Sequence, residues 1–173
     1  MKATALLQSQ HRKVEALLKK LENGRSDAGP VLEELADNLA AHMAIEQELF
    51  YPRIKEIDAD LVNESYEEHA VAELALKRLL TTDPDDESFK ARVTTLKELI
   101  EHHVEEEEEE LFPTVEEKVD EDDLAQLGKE MKARFAEVLE TGFADAVPKG
   151  WAKTSADVSK RNASRRKAKT AAA

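Results

Sequence analysis

Cysteine is absent from this chain, and glycine and proline are sparse, with five of each among 173 residues. The lack of cysteine excludes disulfides, iron–sulfur clusters and thiol catalysis, so any bound metal must rely on nitrogen and oxygen ligands. Aromatic residues make up only 5% of the sequence. Ala, Leu, Glu and Lys dominate instead, and this composition favours helices over sheets. We therefore expect an all-α protein.

Long apolar runs are also missing. No segment approaches the ~20 apolar residues that a membrane span requires, and the N-terminus lacks the apolar stretch of a signal peptide. We therefore expect a cytoplasmic protein without a membrane partner. The 173 residues suffice for one domain with a hydrophobic core.

Positive charge is scarce in most of the chain, although the net charge of −13 conceals an uneven distribution. Residues 1–145 hold 17 basic and 37 acidic residues, whereas residues 146–173 hold eight basic residues and one acidic residue. We expect a helical domain over residues 1–143 and a basic, disordered Ala/Lys-rich tail over residues 144–173. A solubilising role is favoured for this tail, and nucleic acid is expected as a partner only if the tail binds it.

Apolar residues recur at steps of three and four in five segments, which predicts five amphipathic helices. Short connections make sequential helices antiparallel neighbours, so the first four should form an up-down-up-down bundle, with an additional C-terminal helix. The helices are expected at about Thr4–Leu21, from near Pro30, after the turn at 58–60, at about Ser88–Lys118 and at about Asp122–Leu139.

A short motif, His-x-x-x-Glu, occurs twice. His42 with Glu46 and His103 with Glu107 each place an imidazole and a carboxylate one helical turn apart on one face. A proline follows each His by ten residues and is expected to kink or end the helix just beyond the pair. Two helices of this kind can offer ligands to a common metal site.

On each of the first four helices, a His lies inside the apolar stripe. Burying imidazole and ionised Glu among Leu and Val is costly unless a shared partner satisfies them. Counting from the turns at 1.5 Å per residue brings these side chains to one level of the bundle. Because the set exceeds what one ion takes from a protein, we expect two metal ions, with iron the best candidate and manganese or zinc possible. The six residues are His11, His42, Glu46, His69, His103 and Glu107.

In combination, these residues resemble the hemerythrin HHE cation-binding family over about Thr4–Lys118. The resemblance implies a four-helix bundle around a non-haem di-iron centre, ligated by the six residues just given. It is carried by four motifs: Gln10-His11 on the first helix, His-x-x-x-Glu before Phe50-Tyr51-Pro52, Glu67-Glu68-His69, and His-x-x-x-Glu before Leu111-Phe112-Pro113.

The sequence departs from the oxygen-carrying members of that family at Glu73. Those proteins have a second His one turn after the first on the third helix, where this chain has a carboxylate. Glu73 is either a seventh ligand or a hydrogen-bond partner of a ligating His. A carboxylate favours ferric over ferrous iron by its charge, so we hypothesise that reversible oxygen carriage is impaired relative to sensing or oxidation.

Other residues near the motifs have simpler interpretations. Phe50, Tyr51 and Phe112 are expected to form an apolar lid. Tyr66 is expected in the core, where a phenol near the centre could hydrogen-bond bound oxygen. His102, about 100° around the helix from its neighbour, is expected to be exposed.

Two functions follow from such a centre. The favoured one is a metal-binding protein that binds or senses oxygen, nitric oxide or iron. The alternative is a di-iron oxidoreductase, either a ferroxidase or an enzyme that decomposes peroxide. A binding protein is preferred over a dedicated enzyme, and a module that binds nucleic acid through the tail is a third hypothesis. No nucleophile–base set and no Gly-rich phosphate loop indicate other chemistry.

Overall fold

The computed structural model describes residues 1–24 and 28–142, and these residues form helices joined by short turns, with no strand among them. The expected all-α fold is confirmed within this part of the chain. The predicted tail at 144–173 lies outside the described residues. The helices are α1, Ala3–Asn23; α2, Ala28–Ile45, continued by Glu46–Phe50 and Tyr51–Ile54; α3, Ala59–Leu80; α4, Phe89–Glu106, continued by Glu107–Leu111 and Phe112–Lys118; and α5, Glu121–Thr141.

Polar side chains and glycine fix the ends of two helices. The Asp58 carboxylate accepts a hydrogen bond from the Leu61 N–H at 3.1 Å and caps the N-terminus of α3. Asp120 does the same for α5 through the Asp122 N–H at 2.8 Å. Gly142 ends α5 with φ of 72°, a left-handed conformation that glycine adopts without steric cost.

The apolar interior consists of two separate clusters, which show how the helices alternate in direction. The cluster that we call core A takes residues from the second halves of α1 and α3 and the first halves of α2 and α4. The other, core B, takes them from the opposite halves and from α5. This is the arrangement of an up-down-up-down bundle. Core A includes Val14, Leu18, Leu35, Leu39, Leu76, Leu79, Val93 and Leu96; core B includes Leu7, Ile45, Phe50, Ile54, Val62, Phe112, Val115, Leu127 and Met131.

The fifth helix packs against α1 and α2 and covers core B. At Gly128 the backbone of α5 approaches the N-terminus so closely that an added Cβ would lie 2.4 Å from the Met1 carbonyl oxygen. The glycine therefore permits the docking of α5 on the start of α1. Within the described residues, no helix is both long enough and apolar enough to cross a membrane.

Both His-x-x-x-Glu motifs run into a π-helical turn that begins at the Glu. In α2 the Tyr51 N–H bonds the Glu46 carbonyl, five residues back, and in α4 the Phe112 N–H bonds the Glu107 carbonyl. The expected kink or end at the two prolines therefore takes the form of a π turn, after which each helix continues. Such turns add one residue to a helix and are frequent at functional sites.

The proline after the first π turn leaves one carbonyl without a backbone partner. In an i→i+5 pattern the Gln47 carbonyl would pair with the nitrogen of Pro52, which carries no hydrogen. The Tyr66 hydroxyl donates to this carbonyl instead, at 3.3 Å. Tyr66 is thus partly buried against core B rather than inside it, and its hydroxyl bonds the backbone of α2.

Candidate metal centre

Between core A and core B lies a polar layer made of the six residues singled out by the sequence. Every member is buried, with at most 4% of its surface exposed. Their donor atoms fall into two groups, within each of which all atoms lie within 4.8 Å of one another, and Glu46 belongs to both. The first group is His11, His42, Glu46 and Glu107, and the second is Glu46, His69 and His103.

Each carboxylate places one oxygen between imidazoles of the two groups. These contacts are mostly longer than hydrogen bonds and resemble the separations between ligands of one metal ion. Glu46 Oε2 is 3.2 Å from His42 Nε2 and 3.3 Å from His69 Nε2, while Glu107 Oε2 is 3.4 Å from His11 Nε2 and 3.8 Å from His103 Nε2. Each carboxylate therefore lies within reach of both groups of imidazoles.

The outer ring nitrogens are held by polar side chains that the sequence analysis did not predict. In each group one imidazole contacts a carboxylate and the other contacts an amide. Such partners orient a ligating ring and direct its other nitrogen inward. The contacts are His11 Nδ1 with Glu108 Oε1 at 2.8 Å, His42 Nδ1 with Gln10 Oε1 at 3.0 Å, His103 Nδ1 with Glu68 Oε2 at 2.8 Å, and His69 Nδ1 with Gln47 Nε2 at 3.0 Å.

His69 differs from the other three imidazoles in the contact of its Nδ1, which is with an amide nitrogen and not with an oxygen. Gln47 Nε2 lies 3.0 Å from His69 Nδ1, and His69 Nε2 lies 3.1 Å from His103 Nε2. A half turn of the Gln47 amide would bring its oxygen to Nδ1, which would then carry the proton and leave Nε2 free to ligate a metal.

Tyr51 was expected to be purely apolar in its contacts, but its hydroxyl enters the polar layer. The hydroxyl donates to Glu107 Oε1 at 2.9 Å and lies 3.3 Å from His69 Nε2. The predicted apolar lid of Phe50, Tyr51 and Phe112 is buried in core B as expected, but the Tyr51 end of it is polar. The π turn of α2 directs this ring, and a regular helical period cannot indicate it.

The pKa values of the two buried carboxyl groups are shifted in opposite directions. Burial raises the pKa of Glu46 well above its usual value, and the nearby charge of Glu107 raises it further. Burial also acts to raise the pKa of Glu107, but the facing imidazoles of His103 and His11 outweigh it and lower the pKa below its usual value. Of the two carboxyls, Glu46 therefore takes up a proton more readily.

The pKa values of the buried imidazoles are also shifted, two of them downward and one upward. Burial, followed by the charge of His11, lowers the pKa of His42 well below its ordinary value. Burial and His103 lower the pKa of His69 to about 3. For His103, burial is outweighed by Glu107 and Glu68, and the pKa rises. His42 and His69 are therefore neutral at physiological pH, the state in which imidazole binds metal.

The polar layer fits metal cations. Four of its inward atoms are buried and have no hydrogen-bond partner among the described residues: His11 Nε2, both oxygens of Glu46, and Glu107 Oε2. Buried polar atoms are normally paired, and leaving one unpaired costs about 1–3 kcal/mol. A cation coordinated by these atoms would satisfy all of them, and imidazole with carboxylate suits iron, manganese or zinc.

A small cavity of about 10 Å³ adjoins the layer on the side of core A. The four imidazoles form its polar wall. Apolar side chains form the rest: Val14, Leu39, Met43, Ile100 and Val104. The centre is therefore apolar on one side, whereas the carboxylates and the Tyr51 hydroxyl lie one turn further toward core B.

Two other residues named from the sequence lie outside this layer. Glu73 is half-buried, and burial raises its pKa against the opposing charge of Lys77. Its carboxylate belongs to none of the donor groups found among the described residues, and its ligation stays a prediction. The His102 side chain is 61% exposed, as expected.

These features define a helical-bundle protein with a buried His/Glu cluster fit for metal cations. The chain belongs to the hemerythrin HHE cation binding domain family, whose model matches residues 2–115. A crystal structure of a hemerythrin HHE cation binding domain-containing protein from Mycobacterium kansasii is similar, with a TM-score of 0.74 and 25% identity. The similarity covers 82% of this chain and 89% of that one.

A DNA nickase from Nostoc sp. is also similar in sequence. The two proteins are 26% identical over 138 residues, which is 77% of this chain and 39% of the nickase. The chain thus spans less than half of the length of that relative.

Proposed function

We propose that this domain holds two non-haem iron ions and uses them to bind or sense a small ligand, such as oxygen or nitric oxide. The observation that carries the proposal is the bridging position of Glu46 and Glu107, each with one oxygen between imidazoles of both groups. The ions would supply redox-active positions with room for an outside ligand. The proposed ligands are His11, His42, Glu46, His69, His103 and Glu107, and manganese or zinc are the other ions that this set suits.

The apolar cavity supports a small ligand. Its volume of about 10 Å³ is close to the space that one water molecule needs, and its walls beyond the imidazoles are apolar. A diatomic molecule of low polarity fits this description better than a charged or extended substrate. The chain's own residues would exclude water from the core A side and orient the four rings.

A second candidate, a di-iron oxidoreductase, is favoured by the Tyr51 hydroxyl. It donates to Glu107 Oε1 at 2.9 Å, inside the layer. Such a hydroxyl can deliver a proton where a ferroxidase or a peroxide-decomposing enzyme would need one.

Metal analysis of the full-length protein tests the centre. We expect two iron ions per chain after aerobic purification, with the near-ultraviolet absorption of oxo-bridged ferric iron. His42→Ala should lose at least one ion and these bands, whereas Glu105→Gln, which changes an exposed carboxylate outside the layer, should keep both after desalting. Retention of both ions by His42→Ala, or a wild-type protein that takes up none, would contradict the proposal.

Rapid mixing separates the two candidates. Oxygen, nitric oxide or peroxide is added to the reduced, iron-loaded protein, and the spectrum is followed. A lasting spectral change at one equivalent indicates a binding protein. Consumption of many equivalents without a lasting change indicates the oxidoreductase.

A further inference from the structure

A second cluster of metal-ligating side chains lies just outside the buried centre, between α3 and α4. It consists of Glu68, His102 and Glu106, whose donor atoms all lie within 4.8 Å of one another. The His102 side chain is 61% exposed, while those of Glu68 and Glu106 are 19% and 23% exposed. The cluster therefore faces solvent on one side and the bundle on the other.

The separations within this cluster are those of ligands around an ion. His102 Nε2 is 3.6 Å from Glu68 Oε1 and 3.5 Å from Glu106 Oε1, beyond the length of a hydrogen bond. With metal–ligand distances of about 2.0–2.2 Å, two ligands of a tetrahedral ion lie roughly 3.4 Å apart. In the buried centre, the nitrogen and oxygen donors show the same spacing, from 3.2 to 3.8 Å.

An unpaired oxygen of Glu106 is a second indication of a cation site. Its Oε2 is buried and has no hydrogen-bond partner among the described residues. The charges acting on this carboxylate come from Glu68, Glu64 and Glu110, which are acidic, and from His102. A cation bound beside Oε1 would offset the charge of these acidic neighbours.

Glu68 connects this cluster with the buried layer. Its Oε2 accepts a hydrogen bond from His103 Nδ1 at 2.8 Å, while its Oε1 faces His102. An ion in the cluster could thus bind Oε1 without displacing the bond that orients His103. The Glu68 carboxylate would then connect this ion to His103 of the buried layer.

We propose that Glu68, His102 and Glu106 form an outer, exchangeable site for a first-row divalent cation, joined to the buried centre through the Glu68 carboxylate. One imidazole and two carboxylates, with positions left for water, suit ferrous iron, manganese or zinc. The exposure of His102 allows the ion to exchange with solvent. The outer site supplies ferrous iron to the buried centre, and this role rests on the proposed function.

Cobalt(II) titration of the metal-free, full-length protein tests the site, with binding followed by calorimetry and visible absorption. We expect the wild type to bind three ions and a variant with a disabled centre, His42→Ala with Glu46→Gln, to bind one. His102→Ala and Glu106→Gln should weaken the outer ion at least tenfold and leave the two inner ions in place. The matched control is Glu105→Gln, which neutralises an adjacent, exposed carboxylate outside the cluster and should change nothing.

Several results would overturn the outer site. It is wrong if His102→Ala binds as many ions as the wild type with the same affinities, or if Glu105→Gln weakens binding as much as Glu106→Gln. Circular dichroism of each variant confirms that it is folded. The proposed function fails separately if the wild type binds no inner pair but keeps one exchangeable ion that His102→Ala removes. The supply role fails if anaerobic ferrous loading of the inner pair is equally fast in His102→Ala and wild type.

Discussion

At the scale of single residues, the Tyr51 hydroxyl is a neutral donor to one of the two buried carboxylates, Glu107. Its bond to Glu107 is a hydrogen bond to a group whose pKa is lowered and which is therefore ionised. Bonds to charged groups contribute more to stability than bonds between neutral groups. We therefore expect Tyr51→Phe to lower the free energy of unfolding of the metal-free protein by about 1.5–3 kcal/mol, measured by urea denaturation in the presence of a chelator.

Tyr66→Phe is the matched control for this prediction. It removes a hydroxyl that donates to a neutral carbonyl, that of Gln47. The expected loss is about 0.5–1.5 kcal/mol. Equal losses in the two variants would show that the charge of Glu107 contributes nothing to the Tyr51 bond.

The sequence predicts the inward residues of the layer better than the side chains around them. His11 and His42 could be identified because each interrupts an apolar stripe of helical period. Gln10 and Glu108 could not, because they lie on the flank of the stripe, where a polar residue is ordinary. Their role depends on which neighbouring helix lies opposite, and this is a property of packing.

At the scale of helices, the close approach of α5 to the N-terminus depends on Gly128. A Cβ there would lie 2.4 Å from the Met1 carbonyl oxygen and 3.0 Å from the Ala3 nitrogen, both of which are backbone atoms. Gly128→Ala must therefore displace α5 or the start of α1. We expect a loss of about 1–3 kcal/mol in the free energy of unfolding, as for other overpacked interiors, measured by thermal and urea denaturation.

Gly29→Ala is the control for this prediction. It shows whether the loss comes from the close backbone contact at Gly128 or from replacing any helical glycine by alanine. Gly29 lies in the first turn of α2, and nothing is within 4 Å of its added Cβ. Alanine should stabilise the helix there by up to about 1 kcal/mol. If Gly128→Ala stabilises the protein as well, α5 does not dock as described.

Helix positions were predictable to within a few residues, but the π turns were not. The expected fifth helix at Asp122–Leu139 corresponds to the observed Glu121–Thr141. The π turn at Glu46–Phe50, in contrast, shifts hydrogen bonds without changing the apolar pattern before it. Within this turn Phe50 is fully buried, whereas the neighbouring Leu49 is half-buried.

At the scale of the whole molecule, the metal-free bundle contains a buried polar layer, several atoms of which have no hydrogen-bond partner among the described residues. In the described part of the chain, neither oxygen of the buried Glu46 has a hydrogen-bond partner, and the pKa of this carboxyl is raised. Replacing a buried polar group by an apolar one of similar volume is often stabilising. We expect Glu46→Leu to raise the free energy of unfolding in a chelator by about 1–3 kcal/mol.

The same variant should respond less to metal. A ligand that binds only the folded state at 100 times its dissociation constant stabilises by about 2.7 kcal/mol. Zinc should therefore raise the melting temperature of the wild type by more than that of Glu46→Leu, which keeps the outer cluster but lacks a carboxylate of the buried layer. A lower stability of Glu46→Leu in the chelator, or an equal response to zinc, would contradict this account.

The separation of core A from core B has a consequence for local opening of the protein. Each cluster draws on four or more helices, and the layer between them offers little apolar contact to join them. Cations held by both donor groups would tie the two halves into a single cooperative unit. Without them, we expect the amide hydrogens at either end of the bundle to exchange while the other end stays closed, so that hydrogen exchange at both ends reports whether the centre is filled.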